Sequence, residues 1–176
     1  MSVPQIPKPA KLVIGVFTKN KKIIEQLAPE LSSRFGRIDL VSSWMDFNYT
    51  NYYEAEMGSP LARRMFAFTR LIEQTELSEI KVATNQIEQT YAIAGRRQVN
   101  VDPGYMLHER FVLASGKNFS HRIYIGLGVY ADLTLIYQKG RFQKLPWTYP
   151  DYAEQVMIGF LLQVRGKYVL DLKSQA

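Results

Sequence analysis

Arg122, Tyr124, Tyr130, Asp132 and Thr134 alternate with Ile123, Ile125, Val129, Ala131, Leu133 and Leu135 on either side of Gly126-Leu127-Gly128. A period of two marks strands with one polar and one apolar face. If the glycines turn a hairpin that sets residue 125 opposite 129, Tyr124 faces Tyr130 and Arg122 faces Asp132. An arginine held by an aspartate and flanked by tyrosines can take a planar anion through paired N–H groups. The same five residues also suit a solvated outer face, whose ion pair contributes well under about 1 kcal/mol. A helix or loop across the face would make it a pocket, with Trp147, Tyr149 and Asp151 as its rim.

Upstream, Asp102-Pro103-Gly104 reads as a turn, Pro setting φ and Gly permitting positive φ. Such a turn aims Asn100, Asp102 and Tyr105 at a ligand, or merely bends the chain. Lys117 and His121 complete the candidate set. Arg96 to Thr148 holds 8 basic and 3 acidic residues, so most of the chain's net charge of +6 sits there. A local positive field favours an anionic partner such as phosphate, nucleotide or nucleic acid, and it is equally what solvated Lys and Arg on outer strand faces produce.

Several chemistries are excluded. The chain has no cysteine, which removes disulfides, thiolate metal sites and cysteine nucleophiles. Its 2 histidines, His108 and His121, stand in HER and HRI, away from HExxH spacing and from the pattern of two-histidine phosphoesterases. No metal site is expected, and no motif names a cofactor. The Gly-Lys pairs at 116 and 166 lack the glycine and Ser/Thr of a phosphate-cradling loop, so P-loop GTP hydrolysis is not expected.

The elements that must position these residues follow from periodicity. Residues 1–10, with Pro4, Pro7 and Pro9, read as a mobile arm, and 11–176 as one domain. Lys11–Phe17 reads as a buried strand. Asn20 caps a helix with Ile23, Ile24, Leu27, Leu31 and Phe35 on one face, which Pro29 should kink or break. Arg37–Trp44 follows as a strand. Asp46–Pro60 is a polar, aromatic loop of a length that often carries function. Leu61–Ile72 fits strand better than helix. Thr75 caps a helix ending at Gly95, buried through Leu77, Ile80, Thr84, Ile87 and Tyr91. Strands then come at Gln98–Val101, Arg110–Ser115, His121–Gly126, Val129–Gln138 and Arg141–Leu145, with a hairpin at Lys139-Gly140. A last helix runs from about Pro150 to Arg165, burying Tyr152, Val156, Met157, Phe160, Leu161 and Val164. The sum is an α+β fold, a single domain with a largely antiparallel sheet and helices packed on one face.

The ordered set KLVIGVF, NYYEAEMG, EIKVATNQIE, VNVDPGY, LASGKNFSHRIYIG, VYADLTLIYQKGRF and LPWTYPDY resembles family 4416 of the domains of unknown function, over nearly the whole chain. The resemblance implies a small bacterial or archaeal protein and carries no assigned activity. Some members bear a GTP-binding label, which the missing phosphate-cradle motif does not support here.

Two functions remain open from the residues. One is a small-ligand site for a phosphorylated or nucleotide-like molecule on the Arg122 face, with Lys117 and the DPGY segment. The other is a binding module that uses a basic, tyrosine-bearing sheet face for nucleic acid or a protein partner. No run approaches the roughly 18 apolar residues of a membrane span, and the opening lacks a signal segment of normal form, so a cytoplasmic protein away from membranes is expected. Nothing in the sequence sets an oligomeric state.

Overall fold

The computed structural model describes residues 1–49 and 53–174. Its strands are β1 (Ala10–Thr18), β2 (Ile38–Val41), β3 (Met45–Phe47), β4 (Leu61–Ile72), β5 (Val99–Met106), β6 (Arg110–Ser115), β7 (Arg122–Gly126), β8 (Val129–Gln138) and β9 (Arg141–Lys144). Its helices are α1 (Ile24–Phe35), α2 (Glu54–Met57), α3 (Leu77–Thr90) and α4 (Gln155–Ser174). All nine strands join one antiparallel sheet in the order β2-β4-β1-β5-β6-β8-β7, with β3 also on β4 and β9 also on β8. The fold is α+β, as the clustering of period-two segments implied. No helix among the described residues is long and apolar enough to cross a membrane.

β1 explains the centre of the sheet. Its residues are buried on both faces, as a continuous apolar run requires when layers cover a sheet on each side. Leu12, Ile14 and Val16 pack with Leu27 and Leu31 of α1 and Leu77, Ile80 and Ile87 of α3. Val13 belongs to the opposite layer, with Met65, Phe111 and the α4 residues Met157, Phe160, Leu161 and Val164. Helices therefore lie on both faces, not one. The apolar residues of β1, β4 and β6 fall on both sides of their strands, and each side needs a cover.

Several local expectations change for identifiable reasons. Pro29 lies within α1 without ending it, since the helix is fixed to the core by Leu27, Leu31 and Phe35. Thr75 is not a cap. Glu73 and Glu76 form a reciprocal capping box, the Glu73 N–H donating to Glu76 Oε1 at 2.8 Å. α3 stops at Thr90, and Ala94 and Gly95 turn with positive φ. α4 starts after a short 3-10 turn, Pro150–Ala153, that carries Tyr152. It runs on to Ser174 because Tyr168 and Asp171 continue the buried stripe, while Val156 is exposed. Residues 1–9 carry no regular structure, and the Lys8 and Pro9 carbonyls accept hydrogen bonds from Gln74 and Tyr168.

The largest correction concerns Asp102-Pro103-Gly104, which is no turn. β5 runs straight through it, paired with β1 from Val99↔Thr18 to Met106↔Lys11. Its ladder with β6 covers only Gly104, Tyr105 and Met106. The Val101 N–H and the Val101 C=O both bond to side chains on the side away from β1. Backbone groups alternate sides along a strand, so the position of Pro103 also faces away from β1. A residue without an N–H is tolerated there because the β5–β6 ladder has already ended. Gly104 has a steric role: a Cβ would stand 2.4 Å from the Val112 carbonyl oxygen.

Beyond Gly104, β5 and β6 diverge. β5 continues along β1, and β6 continues along β8 as far as Ser115↔Tyr130. The sheet is thus two leaves, β2-β3-β4-β1-β5 and β6-β8-β7-β9, joined by a short seam and open beyond it.

Candidate functional site

The opening between the leaves is filled from one side by α3. Lys81, Asn85 and Glu88 recur at four- and three-residue spacing, which puts them on one helical stripe. Glu88 accepts the Val101 N–H at 2.7 Å and Lys81 donates to the Val101 carbonyl at 3.3 Å. These two side chains satisfy backbone groups that a paired strand would otherwise satisfy. Burial pushes the Glu88 carboxyl above its ordinary range, with Lys81 pulling it back.

On the α4 side, the opening widens into a cavity of about 690 Å³. Its first wall belongs to one leaf. Arg63 on β4, Phe17 on β1 and Asn100 on β5 stand in register across three strands. The Arg63 guanidinium ion-pairs with Asp151 and lies 4.6 Å from the Phe47 ring, 5.0 Å from Tyr152 and 5.4 Å from Phe17. Asn100 donates to Asp102 at 2.6 Å and accepts from Arg97 at 3.0 Å, and Lys81 closes the chain on Asp102 at 3.0 Å. Arg97 grips Glu56 of α2 with two N–H groups at 2.7 and 2.8 Å, which holds its pKa above the usual value.

The second wall belongs to the other leaf. Leu113 on β6, Asp132 on β8 and Arg122 on β7 form a second row in register. Arg122 Nε donates to Asp132 at 2.9 Å, Nη1 to Ser115 and to the Lys117 carbonyl at 2.9 Å each, and Nη2 to the Tyr149 hydroxyl at 2.8 Å. Burial opposes the Arg122 charge, and the bonds to Asp132 and Tyr149 outweigh it, so its pKa is raised. Phe47, Tyr49 and Tyr53 from one side and Tyr149 to Tyr152 from the other complete the lining. Burial pushes the Tyr53 and Tyr152 phenols up to about 12, so both are neutral at neutral pH.

The Arg122–Asp132 and Tyr124–Tyr130 pairings occur as expected, by a slightly different route. Gly126, not Ile125, faces Val129, and Ile125 is an extra residue that restores the register of the pairs behind it. A second irregularity, at Thr134, swings Leu135 onto the α4 face with Phe111, so Leu135 is not on the far side with Leu133. One chemical expectation fails. Four of the guanidinium's roughly five N–H donors are committed to the protein, so Arg122 has no paired donors for a planar anion.

Asn100, Asp102, Lys117, Arg122 and Asp132 line the cavity. The other six candidates do not. Tyr105 sits at an odd position of β5 and points into the opposite layer. Thr134 is buried behind Asp132, bonding its carbonyl at 3.1 Å. His121 stands 3.3 Å from Asp132 with its ring stacked on Trp147 at 4.9 Å, and Trp147 donates to the Leu133 carbonyl. Tyr124 and Tyr130 pair at 5.4 Å along the hairpin, outside the cavity. The residues missed are Arg63, Arg97 and the α3 stripe. The 81/85/88 spacing was visible beside the apolar stripe, but a polar helical stripe ordinarily faces water.

The chain matches the model of the domain of unknown function DUF4416 over residues 8–168 and belongs to that family. No curated protein and no solved structure matches it.

Proposed function

We propose that this DUF4416 member binds a small phosphorylated or nucleotide-like molecule in the cavity between its two leaves. The observation that carries the reading is the cavity itself, whose volume of about 690 Å³ falls in the range of small-molecule sites. Its lining holds five cations, Arg63, Lys81, Arg97, Lys117 and Arg122, against four carboxylates, Glu88, Asp102, Asp132 and Asp151. Four of those cations are paired with carboxylates, Arg63 with Asp151, Lys81 with Asp102, Arg97 with Glu56 and Glu88, and Arg122 with Asp132. At the opposite end the lining is Arg122 and Lys117 with Asp132. The anionic group of a ligand belongs at that end, where Arg122 supplies field more than hydrogen bonds and the Tyr149 hydroxyl faces the same space. The tyrosine and phenylalanine rings of the other wall suit a planar group by stacking.

A binding module for nucleic acid or a protein partner is the second reading. It draws support from the hairpin beyond the cavity, where Ile123, Tyr124 and Leu127 are more than half exposed. A concave site favours the first reading.

Ribose 5-phosphate and inorganic phosphate test it by thermal shift. A ligand specific to the folded state at 100 times its Kd stabilises by about 2.7 kcal/mol. Lys117→Ala should weaken the response to both probes about tenfold or more. No shift at millimolar probe, or equal shifts with and without Lys117, would refute the assignment.

A further inference from the structure

Two polar atoms buried in the cavity wall have no partner. Among the described residues, Arg63 Nε and the Tyr152 hydroxyl are closed to solvent and make no hydrogen bond, although both residues line the cavity and are more than nine-tenths buried. The remaining two such atoms, on Asp39 and Thr69, belong to other parts of the sheet. A buried donor without an acceptor keeps its desolvation cost, which an apolar side chain of the same shape would avoid. The Arg63 guanidinium is fixed in place, bonded through Nη1 to Asp151 and set among the rings of Phe17, Phe47 and Tyr152. The Tyr152 hydroxyl stands over Gly15, 3.5 Å from where a Cβ would be, so β1 makes room for it. Arg63 is near enough to pull the Tyr152 phenol down against burial, yet no N–H meets the hydroxyl oxygen. The phenol still rises to about 12, so both groups keep a proton to donate.

We propose that the ligand of this cavity carries a carbonyl oxygen on a planar ring, and that Arg63 Nε and the Tyr152 hydroxyl take that oxygen between them. The inference rests on the function proposed above and names the chemistry of the ligand's planar part. Two neighbouring donors call for one acceptor with two lone pairs, which a carbonyl oxygen supplies. A carboxylate is a poorer match. Arg63 is already paired with Asp151, and Asp102 and Asp132 push the Tyr152 phenol up, so a further negative charge would face carboxylates whose cations are taken. An amino group is the poorest, since it sets donor against donor. Phe47 and Tyr53 offer ring faces for stacking, and the Arg122–Lys117 end takes the phosphate. Nucleotides with an oxo-bearing base have this form. Both donor atoms are closed to solvent, so the oxygen is taken up with a small rotation of the Arg63 or Tyr152 side chain, a change common at binding sites.

Isothermal titration with IMP, AMP and ribose 5-phosphate tests this. IMP has an oxo group where AMP has an amino group, and the two otherwise differ only in the proton on the ring nitrogen beside it. IMP is expected to bind about tenfold or more tighter than AMP, because the amino group would leave both donors unpaired. Tyr152→Phe keeps the ring and removes only the hydroxyl, and should cut that preference to about threefold or less. Arg63→Lys, which keeps a cation for Asp151 and loses the Nε donor, should do the same. Since the hydroxyl has no partner in the unliganded protein, Tyr152→Phe should leave its Tm unchanged or raise it. A hydroxyl that serves the fold would lower the Tm instead, and that result overturns the assignment. If ribose 5-phosphate binds and IMP does not exceed AMP, the carbonyl assignment falls and the phosphate site stands. If IMP keeps its preference in both variants, the assignment falls as well. If none of the probes binds, both readings fall.

Discussion

Two networks of buried charge flank β1, one near its start and one near its end, and they are built differently. Near the start, Lys11 is fully buried and its ammonium donates to Asp39 at 2.8 Å, Asp171 at 2.7 Å and the Phe68 carbonyl at 2.7 Å. Three donors meet three acceptors. The network ties β1 to β2, β4 and α4. Near the end, Arg63, Arg97, Lys81 and Arg122 are each held by a carboxylate, yet their network surrounds about 690 Å³ of open volume and leaves the buried Arg63 Nε without a partner. A satisfied charge cluster filled by its own members is a tether. One that keeps a hollow open has its charges in place before any ligand arrives, which lowers the ordering cost of binding.

The sharpest break of this contrast is Lys11→Met. It leaves Asp39 and Asp171 buried with only Lys167 beside them, so stability should fall by about 3 kcal/mol. Urea unfolding reads this directly, and a loss below about 1 kcal/mol would show that the cluster is not a tether. Ligand responses at the other network should survive the substitution in whatever fraction remains folded.

Gly104→Ala attacks the seam between the leaves. The new methyl meets the Val112 carbonyl oxygen at 2.4 Å and Leu113 Cδ2 at 2.9 Å, and backbone cannot move aside cheaply. A loss of about 1–3 kcal/mol is expected by denaturant titration, as for other overpacked sites. A neutral result would mean that the leaves can separate further at no cost.

The smallest effects are in pH dependence, where the two networks should have opposite signs. Burial raises the Asp171 carboxyl, but hydrogen bonds from Lys11 and Lys167 outweigh it and leave the pKa below 3.8. Its contribution is therefore present above that value and lost as pH falls through the lowered one. Glu88 is raised above 4.5, chiefly by burial. Its contribution is complete below 4.5 and lost as pH rises through the raised value. Stability profiles should show Asp171→Asn flattening the acid limb and Glu88→Gln removing part of the decline above 4.5. If both variants shift the same limb, the networks do not differ in the way described.

The sequence carried the strand pattern and the facing pairs on β7 and β8, because one buried face fixes register. It also carried the Lys139-Gly140 hairpin, both of whose residues adopt positive φ. It did not carry the site's shape. Pro103 and Gly104 have the composition of a turn, and only the partner strands show that they end a ladder and admit a close approach. Lys81 and Glu88 look like part of a solvated stripe until the missing strand beside Val101 gives them something to face, while Asn85 between them stays exposed. Arg63 lies in a segment read as strand, but its place beside Phe17 and Asn100 depends on β4 and β5 flanking β1, with Phe17 paired to residues 46 and 83 positions further along the chain.

The short seam at Gly104–Met106 has a consequence for the width of the cavity. With three paired positions holding the leaves together, the width of the opening is set by the angle between them and by how α3 seats its polar stripe against Val101. Distant substitutions that tilt either leaf would retune which molecules fit without touching a lining residue. The gauge of the site is a property of the sheet's geometry, and divergence in the helix that props it open would be one route by which related chains come to accept ligands of different breadth.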